Sequence, residues 1–239
     1  MRVIYNLMNQ ARNTIFNNIH KSLGRNELDE DTLKTLKERL ANPKVHELPY
    51  LGTGLIDRFI NQLKKVAGTL ESIPNAKDIP FAVLEFLQKH NLPQEIVVDT
   101  RLKELPWPNQ LRPVYRAAEA KDVVSVSKAF AGIVETGSLV LLSSPDSPTT
   151  LNFLPDNHIV VLYKDDMVTH IEKVWTRLRT RPMPRTVNII TGPSRTADIE
   201  QTIQLGAHGP RRLHIIFVKQ SWYLLDGAKT SVNPPISAL

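Results

Sequence analysis

Three short stretches of this chain combine residue types that bind or activate small molecules. The first runs from Val187 through Thr191, Gly192, Pro193, Ser194, Arg195 and Thr196 to Asp198. An apolar, β-branched run ends there in a Gly-Pro turn and enters a polar segment. That pattern predicts a buried strand handing over to a short helix after Gly192. The free N–H groups and positive dipole end of such a helix face the crevice at the carboxyl edge of the sheet. Ser194 and Thr196 add hydroxyl donors, and Arg195 adds a forked cation suited to carboxylate or phosphate. The plainer use of the same residues is structural, with Ser194 or Thr196 capping the helix and Asp198 balancing its dipole.

The second stretch, Gly206-Ala-His208-Gly209-Pro-Arg-Arg212, is a loop feeding an apolar run. Glycines beside a histidine let backbone approach a ligand and leave the imidazole free to exchange a proton near neutral pH. The third is Glu135-Thr136-Gly137-Ser138, a carboxylate at a tight turn between two apolar runs, where it is placed to serve as acid, base or nucleophile. Glu135 and His208 are therefore the candidate catalytic groups. No metal site is expected, because His158 and His208 are read as lying in separate loops and His214 lies within a strand.

The elements that must hold these residues divide the chain in two. Over residues 1–92 the apolar positions recur at helical spacing: Ile4, Leu7, Met8, Ala11, Ile15, Ile19 and Leu23; then Leu33, Leu36 and Leu40; then Leu55 to Val66; then Val83 to Leu87 after Asp78 and Pro80. Such stripes predict core-facing helices. From residue 93 to 239 short β-branched runs alternate with helical segments, chiefly Val168 to Leu178, which predicts a largely parallel sheet covered by helices. Thr136-Gly137 marks an antiparallel hairpin inside it.

Composition narrows the chemistry further. The 239 residues include no cysteine, which excludes thiolate nucleophiles, disulfides and cysteine-ligated zinc or iron–sulfur clusters in this chain. The charge of +6 and pI near 9.5 admit nucleic acid, but the basic run Arg177, Arg179, Arg181, Arg185 has no aromatic interleaving to stack bases, so no nucleic-acid partner is expected. No apolar run reaches the roughly 18 residues of a membrane span, and the amino terminus lacks the apolar core of a signal peptide, so a cytoplasmic address is expected.

Glu135-Thr-Gly-Ser138, Leu154-Pro-Asp-Asn-His-Ile-Val-Val161, Gly192-Pro-Ser-Arg-Thr-Ala-Asp-Ile-Glu-Gln201 and Gly206-Ala-His-Gly-Pro-Arg-Arg-Leu213 together resemble the successive motifs of the lactate-utilisation domain family. The opening helix, Ala11 to Arg25, is similar to the start of the family's cysteine-free member. The resemblance implies an α/β fold like that of the glucosamine-phosphate isomerases, ribose-phosphate isomerases and coenzyme A transferases (the NagB/RpiA/CoA transferase-like fold). It also implies a non-redox subunit of a three-protein system oxidising L-lactate to pyruvate, with iron–sulfur clusters in two partner proteins. Carried over residue by residue, the motifs imply a ligand site at Glu135, Thr136, Gly137, Ser138, Gly192, Pro193, Ser194, Arg195, Thr196, Asp198, His208 and Gly209, taking an anionic small molecule. The alternative is a stand-alone enzyme of the same fold acting on a phosphorylated or coenzyme A-linked substrate.

Overall fold

The computed structural model describes residues 2–24, 28–42, 47–196, 204–206 and 208–220. Two helices lead: α1 (Arg2–Ser22) and α2 (Glu30–Ala41), the second capped by Asp29, whose carboxylate accepts from the Thr32 amide at 2.7 Å. Contacts divide the chain into compact units at residues 1–49 and 50–239. In the first unit the described apolar positions do not form the expected core. No residue of α2 is buried, and Ile15, Phe16 and Ile19 of α1 remain exposed. Two helices offer too few layers to enclose apolar faces between them.

The second unit is built on a six-stranded, wholly parallel sheet. Its elements follow in chain order: α3 (Leu55–Lys65), β1 (Thr69–Ile73), α4 (Ile79–Lys89), β2 (Glu95–Val98), β3 (Arg112–Val114), β4 (Val124–Lys128), β5 (Ala131–Ile133), β6 (Ser138–Leu142), α5 (Thr150–Phe153), β7 (Asn157–Tyr163), β8 (Met167–Val168), α6 (Ile171–Arg179), β9 (Val187–Ile190), β10 (Arg195–Thr196), β11 (Gln204–Leu205) and β12 (Arg212–Val218). The order across the main sheet is β1-β12-β7-β4-β2-β3, every pair parallel. A second sheet runs β8-β5-β6-β9, with β5–β6 and β6–β9 antiparallel.

Period-two alternation assigns the faces. Ile159, Val161, Ile216 and Val218 point to the side covered by α4, where Ile79, Val83, Phe86 and Leu87 are buried against them. Val160, Leu162, Ile215 and Phe217 point the other way, onto Phe59 and Leu63 of α3 and onto Leu139 and Leu141 of β6. The far side of the second sheet, including Ile133, Val140 and Leu142, is covered by Val174 and Leu178 of α6. Each fully buried side chain of this kind contributes about 1.5–3 kcal/mol. The change of texture near residue 93 therefore does not coincide with the change of compactness near residue 50, because β1 and the helices on either side of it belong to the sheet.

The main-sheet strands expected from sequence are present, as is the hairpin at Gly137, whose φ is +69°. Strands β1, β3 and β8 carry too few β-branched residues to stand out. Among the described residues no helix is long and apolar enough to cross a membrane.

Candidate functional site

The connection leaving β9 departs from the expected helix. Arg195–Thr196 form a two-residue strand paired antiparallel with Gln204–Leu205. The Ser194 amide, which a helix start would leave free, is committed: it donates to Pro210 C=O at 2.9 Å, while Ser194 C=O accepts from Gly206 N–H at 2.9 Å. Among the described residues no helix starts within Gly192–Thr196. Asp198 lies outside the described residues. Arg195 is exposed.

Two of the motif glycines answer to packing. At Gly192 φ is +79°, and an added Cβ would lie 2.5 Å from the Val66 carbonyl oxygen; at Gly137 it would lie 2.7 Å from Gln62 Cβ and from the Leu63 nitrogen. Both turns thus rest on the end of α3. Hydroxyls join them: Thr136 Oγ1 lies 2.7 Å from Ser138 Oγ, which lies 2.6 Å from Thr191 Oγ1. Glu135 is held by its backbone, its N–H donating to Thr169 C=O and its C=O accepting from Gln62 Nε2 at 2.9 Å.

Beyond the Gly192 turn opens a cleft of about 230 Å³. Its walls are the end of α5 (Asn152, Phe153), the end of β9 (Ile189, Ile190), Gly192 to Ser194, His208 to Pro210, and the starts of β7 and β12 at His158 and Leu213. Of the residues singled out in the sequence, Gly192, Pro193, Ser194, His208 and Gly209 are brought together here. Glu135, Thr136, Gly137, Ser138 and Arg195 are not among the lining residues. Nor does the cleft lie at the carboxyl edge of the main sheet. It sits at the carboxyl end of β9 but at the amino ends of β7 and β12, because β9 belongs to the second sheet.

The polar groups at the inner end are Asn152 and His158, 3% and 1% exposed. His158, expected in a loop, is the second residue of β7. Its Nε2 lies 2.7 Å from the buried Ser127 Oγ, and burial pushes its pKa down from 6.5 to about 3, so the ring is neutral at physiological pH. Neither His158 Nδ1 nor Asn152 Oδ1 has a hydrogen-bond partner. No Lys, Arg, Asp or Glu lines the cleft among the described residues. Sequence reasoning missed Asn152. The signal for His158 was an imidazole opening the apolar run Ile159 to Leu162, inside a motif already singled out.

A second polar cluster marks the carboxyl ends of β2, β4 and β7. Buried Asp99 receives Arg101 Nε at 2.9 Å and the Lys128 amide at 3.3 Å, and Arg101 Nη2 continues to Ser147 Oγ at 3.1 Å. Nearby, burial raises the Asp166 carboxyl from 3.8 to about 6, opposed by Lys128 and Arg177. Among the described residues no group of three or more His, Asp or Glu is arranged to hold a metal ion.

Comparison with known proteins places this geometry. Residues 109–218 match the model of the LUD domain. The chain is 40% identical over 94 residues to an uncharacterized protein of Neisseria meningitidis serogroup B, covering 38% of this chain and 40% of that protein. It is 27% identical over 204 residues to lactate utilization protein C of Bacillus subtilis, covering 79% of each. The chain thus spans two fifths of the first relative's length and about four fifths of the second's. A solved structure of a DUF162 family protein from Deinococcus radiodurans superposes with a TM-score of 0.54 at 18% identity, covering 72% of this chain and all of the other. That likeness concerns the fold.

Proposed function

We propose, from the match of residues 109–218 to the LUD domain model, that this chain serves in lactate utilisation, binding a small organic acid in the Asn152–His158 cleft while partner proteins carry the electrons. The observation that carries this reading is that every residue lining the cleft, from Asn152 to Leu213, falls inside the matched segment. The cleft is concave and mostly apolar, with a few placed polar groups, as small-molecule sites are. The name printed for the Bacillus subtilis relative supplies the physiological direction.

Oxidising lactate to pyruvate releases two electrons and two protons. A chain without cysteine offers no thiolate to hold an iron–sulfur cluster, so any such cluster belongs to partners. In this reading those partners are two iron–sulfur proteins, and this chain orients the acid and shields it from water. His158 is too weak a base, with a pKa near 3, to take a proton at neutral pH, and its role is to hold the ligand. His208 is the lining histidine open to solvent.

The test is reconstitution of lactate-dependent dye reduction from the purified partner proteins, with and without this chain. The rate is expected to fall at least tenfold when the chain is omitted, and affinity purification from the native cell is expected to bring two cysteine-rich proteins with it. Full activity without this chain overturns the reading.

A further inference from the structure

The charge of the chain is unevenly distributed. Residues 173–197 hold six Lys and Arg and no Asp or Glu, so the remaining 24 basic residues equal the 24 acidic ones and the whole net charge of +6 resides in this stretch. We infer that its outer face, formed by the end of α6 and the loop into β9, is a docking surface for the acidic face of a protein partner, anchored by Trp175 and Met183 and oriented by Arg179, Arg181 and Arg185. This rests on the reading of the chain as one subunit among several and adds to it the surface that the partner meets.

A short helix with one committed side builds the face. Val174 and Leu178 of α6 are buried against the second sheet, which leaves Trp175 and Arg179, one turn apart, on the solvent side. Both are exposed. Thr180 closes the helix, and Arg181-Pro-Met-Pro-Arg185 follows, with Met183 61% exposed. Prolines on both sides of Met183 fix two φ angles and so reduce the freedom lost when a partner binds. The Arg181 guanidinium lies 5.3 Å over the Phe130 ring, and Phe130 packs on the same core as Val174 and Leu178. That cation is therefore oriented before any partner arrives.

Local structure accounts for only part of this charge. Arg177 donates to the Asp165 and Met167 carbonyls and, with Arg179, offsets the dipole at the end of α6. Arg181 and Arg185 lie beyond the helix, and among the described residues Arg179, Arg181 and Arg185 form no ion pair. Clustered cations of one sign repel each other, and an acidic partner converts that repulsion into attraction and faster encounter. The apolar residues on the face point to a protein. Trp, Met and Arg are enriched where proteins meet, whereas a nucleic-acid groove stacks bases on successive aromatics and this stretch holds one. The surface also adjoins the cleft: β9 begins two residues after Arg185 and ends, about 10 Å further on at 3.3 Å per residue, at Ile190 in the cleft wall.

The experiment measures association and dissociation of the full chain with each of the two purified iron–sulfur partner proteins by surface plasmon resonance. The parent chain is expected to bind one of them at least about tenfold more weakly at about 0.3 M than at about 0.05 M salt. Combined Arg179→Glu, Arg181→Glu and Arg185→Glu is expected to slow association at least about tenfold and to flatten the salt dependence. Combined Trp175→Ala and Met183→Ser is expected to speed dissociation about tenfold and to leave the salt dependence in place. Lys77→Glu, Lys89→Glu and Lys103→Glu together, exposed elsewhere and changing the net charge equally, are expected to slow association less than about threefold. Thermal transitions check the folding of each variant; should the arginine triple not fold, Arg185→Glu alone replaces it, with an expected slowing of about threefold. Parent-like binding by the arginine variant, or an equal loss in the lysine control, overturns this inference and leaves the subunit reading standing. Arginine-dependent binding of single-stranded DNA or phosphatidylglycerol vesicles, with partner binding independent of those arginines, overturns it in favour of a general polyanion surface. If the parent chain binds neither partner protein, this inference and the subunit reading fall together.

Discussion

Replacing Gly192 by alanine tests whether the most motif-like glycine of the chain serves ligand binding or packing. At φ +79° an L-residue costs about 1–2 kcal/mol. The new Cβ would also stand 2.5 Å from the Val66 carbonyl oxygen and 2.9 Å from Val66 Cβ, and two of these atoms are backbone or backbone-attached, so relief requires α3 to shift. Overpacking of that kind costs about 1–3 kcal/mol. The sum, about 2–5 kcal/mol, is a large share of the 5–15 kcal/mol that holds a typical domain folded. At about 2–4 °C per kcal/mol for a unit of this size it lowers Tm by about 4–20 °C. Urea unfolding followed by circular dichroism and differential scanning calorimetry read the effect directly. Gly137→Ala, whose Cβ would meet Gln62 Cβ and Leu63 N at 2.7 Å with φ +69°, is expected to behave alike. Gly209→Ala supplies the contrast, because its φ is not positive and its nearest neighbour is the Ser194 side chain at 3.3 Å, so it narrows the cleft with a cost below about 1 kcal/mol. If Gly192→Ala unfolds within about 0.5 kcal/mol of the parent, α3 yields easily and the packing argument is wrong.

The pH dependence of stability follows from a buried and a partly buried group of opposite sign. His158 has its pKa lowered from 6.5 to about 3, so its contribution is full above pH 6.5 and is lost as pH falls toward 3; Asp166, raised from 3.8 to about 6, contributes fully below pH 3.8 and loses that contribution as pH rises through 6. Urea midpoints are therefore expected to change little between pH 4 and 6 and to drop below pH 4, while Asp166→Asn exposes the histidine slope across pH 4 to 6; an unchanged profile in that variant counts against the assignment. Arg195→Ala is expected to weaken binding of an anionic ligand by less than about 1 kcal/mol, with the difference vanishing at high salt, and a tenfold loss that persists in salt would place Arg195 inside the site. Ser138→Ala, which cuts the link between Thr136 and Thr191, is expected to cost about 1 kcal/mol in chemical denaturation, and no change would show the hydroxyl chain to be incidental.

The parallel sheet was legible because its strands are nearly continuous β-branched runs. Ile159 to Leu162 and Leu213 to Val218 read as strands buried on both faces, and so they are. Strand β1 was not legible, because Thr-Leu-Glu-Ser-Ile follows a helix and alternates only weakly; its pairing with β12 is a long-range fact that no local window contains. The site was half legible. The two loops carrying Ser194 and His208-Gly209 announced themselves by their glycines and prolines, while the segment entering Arg195 was read as a helix start because strand and helix starts share the same turn chemistry. What decided the matter was Pro210, sixteen positions away from Ser194, whose carbonyl takes the Ser194 amide. Asn152 escaped because it lies outside the glycine-rich stretches, and His158, though inside a quoted motif, was read as a loop residue where the structure makes it the second residue of β7.

The edge position of β1 has a consequence for how the chain reaches this state. Its described strand partner is β12, and Thr69 meets His214 across 145 residues of intervening chain. Closing a loop of that length costs on the order of 4 kcal/mol beyond the constant for initiation, and no contact repays it until β12 exists. During synthesis β1 therefore waits on the ribosome with its backbone unpaired while β2, β4 and β7 assemble beside it. In that interval the backbone edge of β7 that β12 will pair with, at Val160 and Val161, is open to foreign strands. The chain should fold slowly for its size and depend on chaperones when expressed quickly.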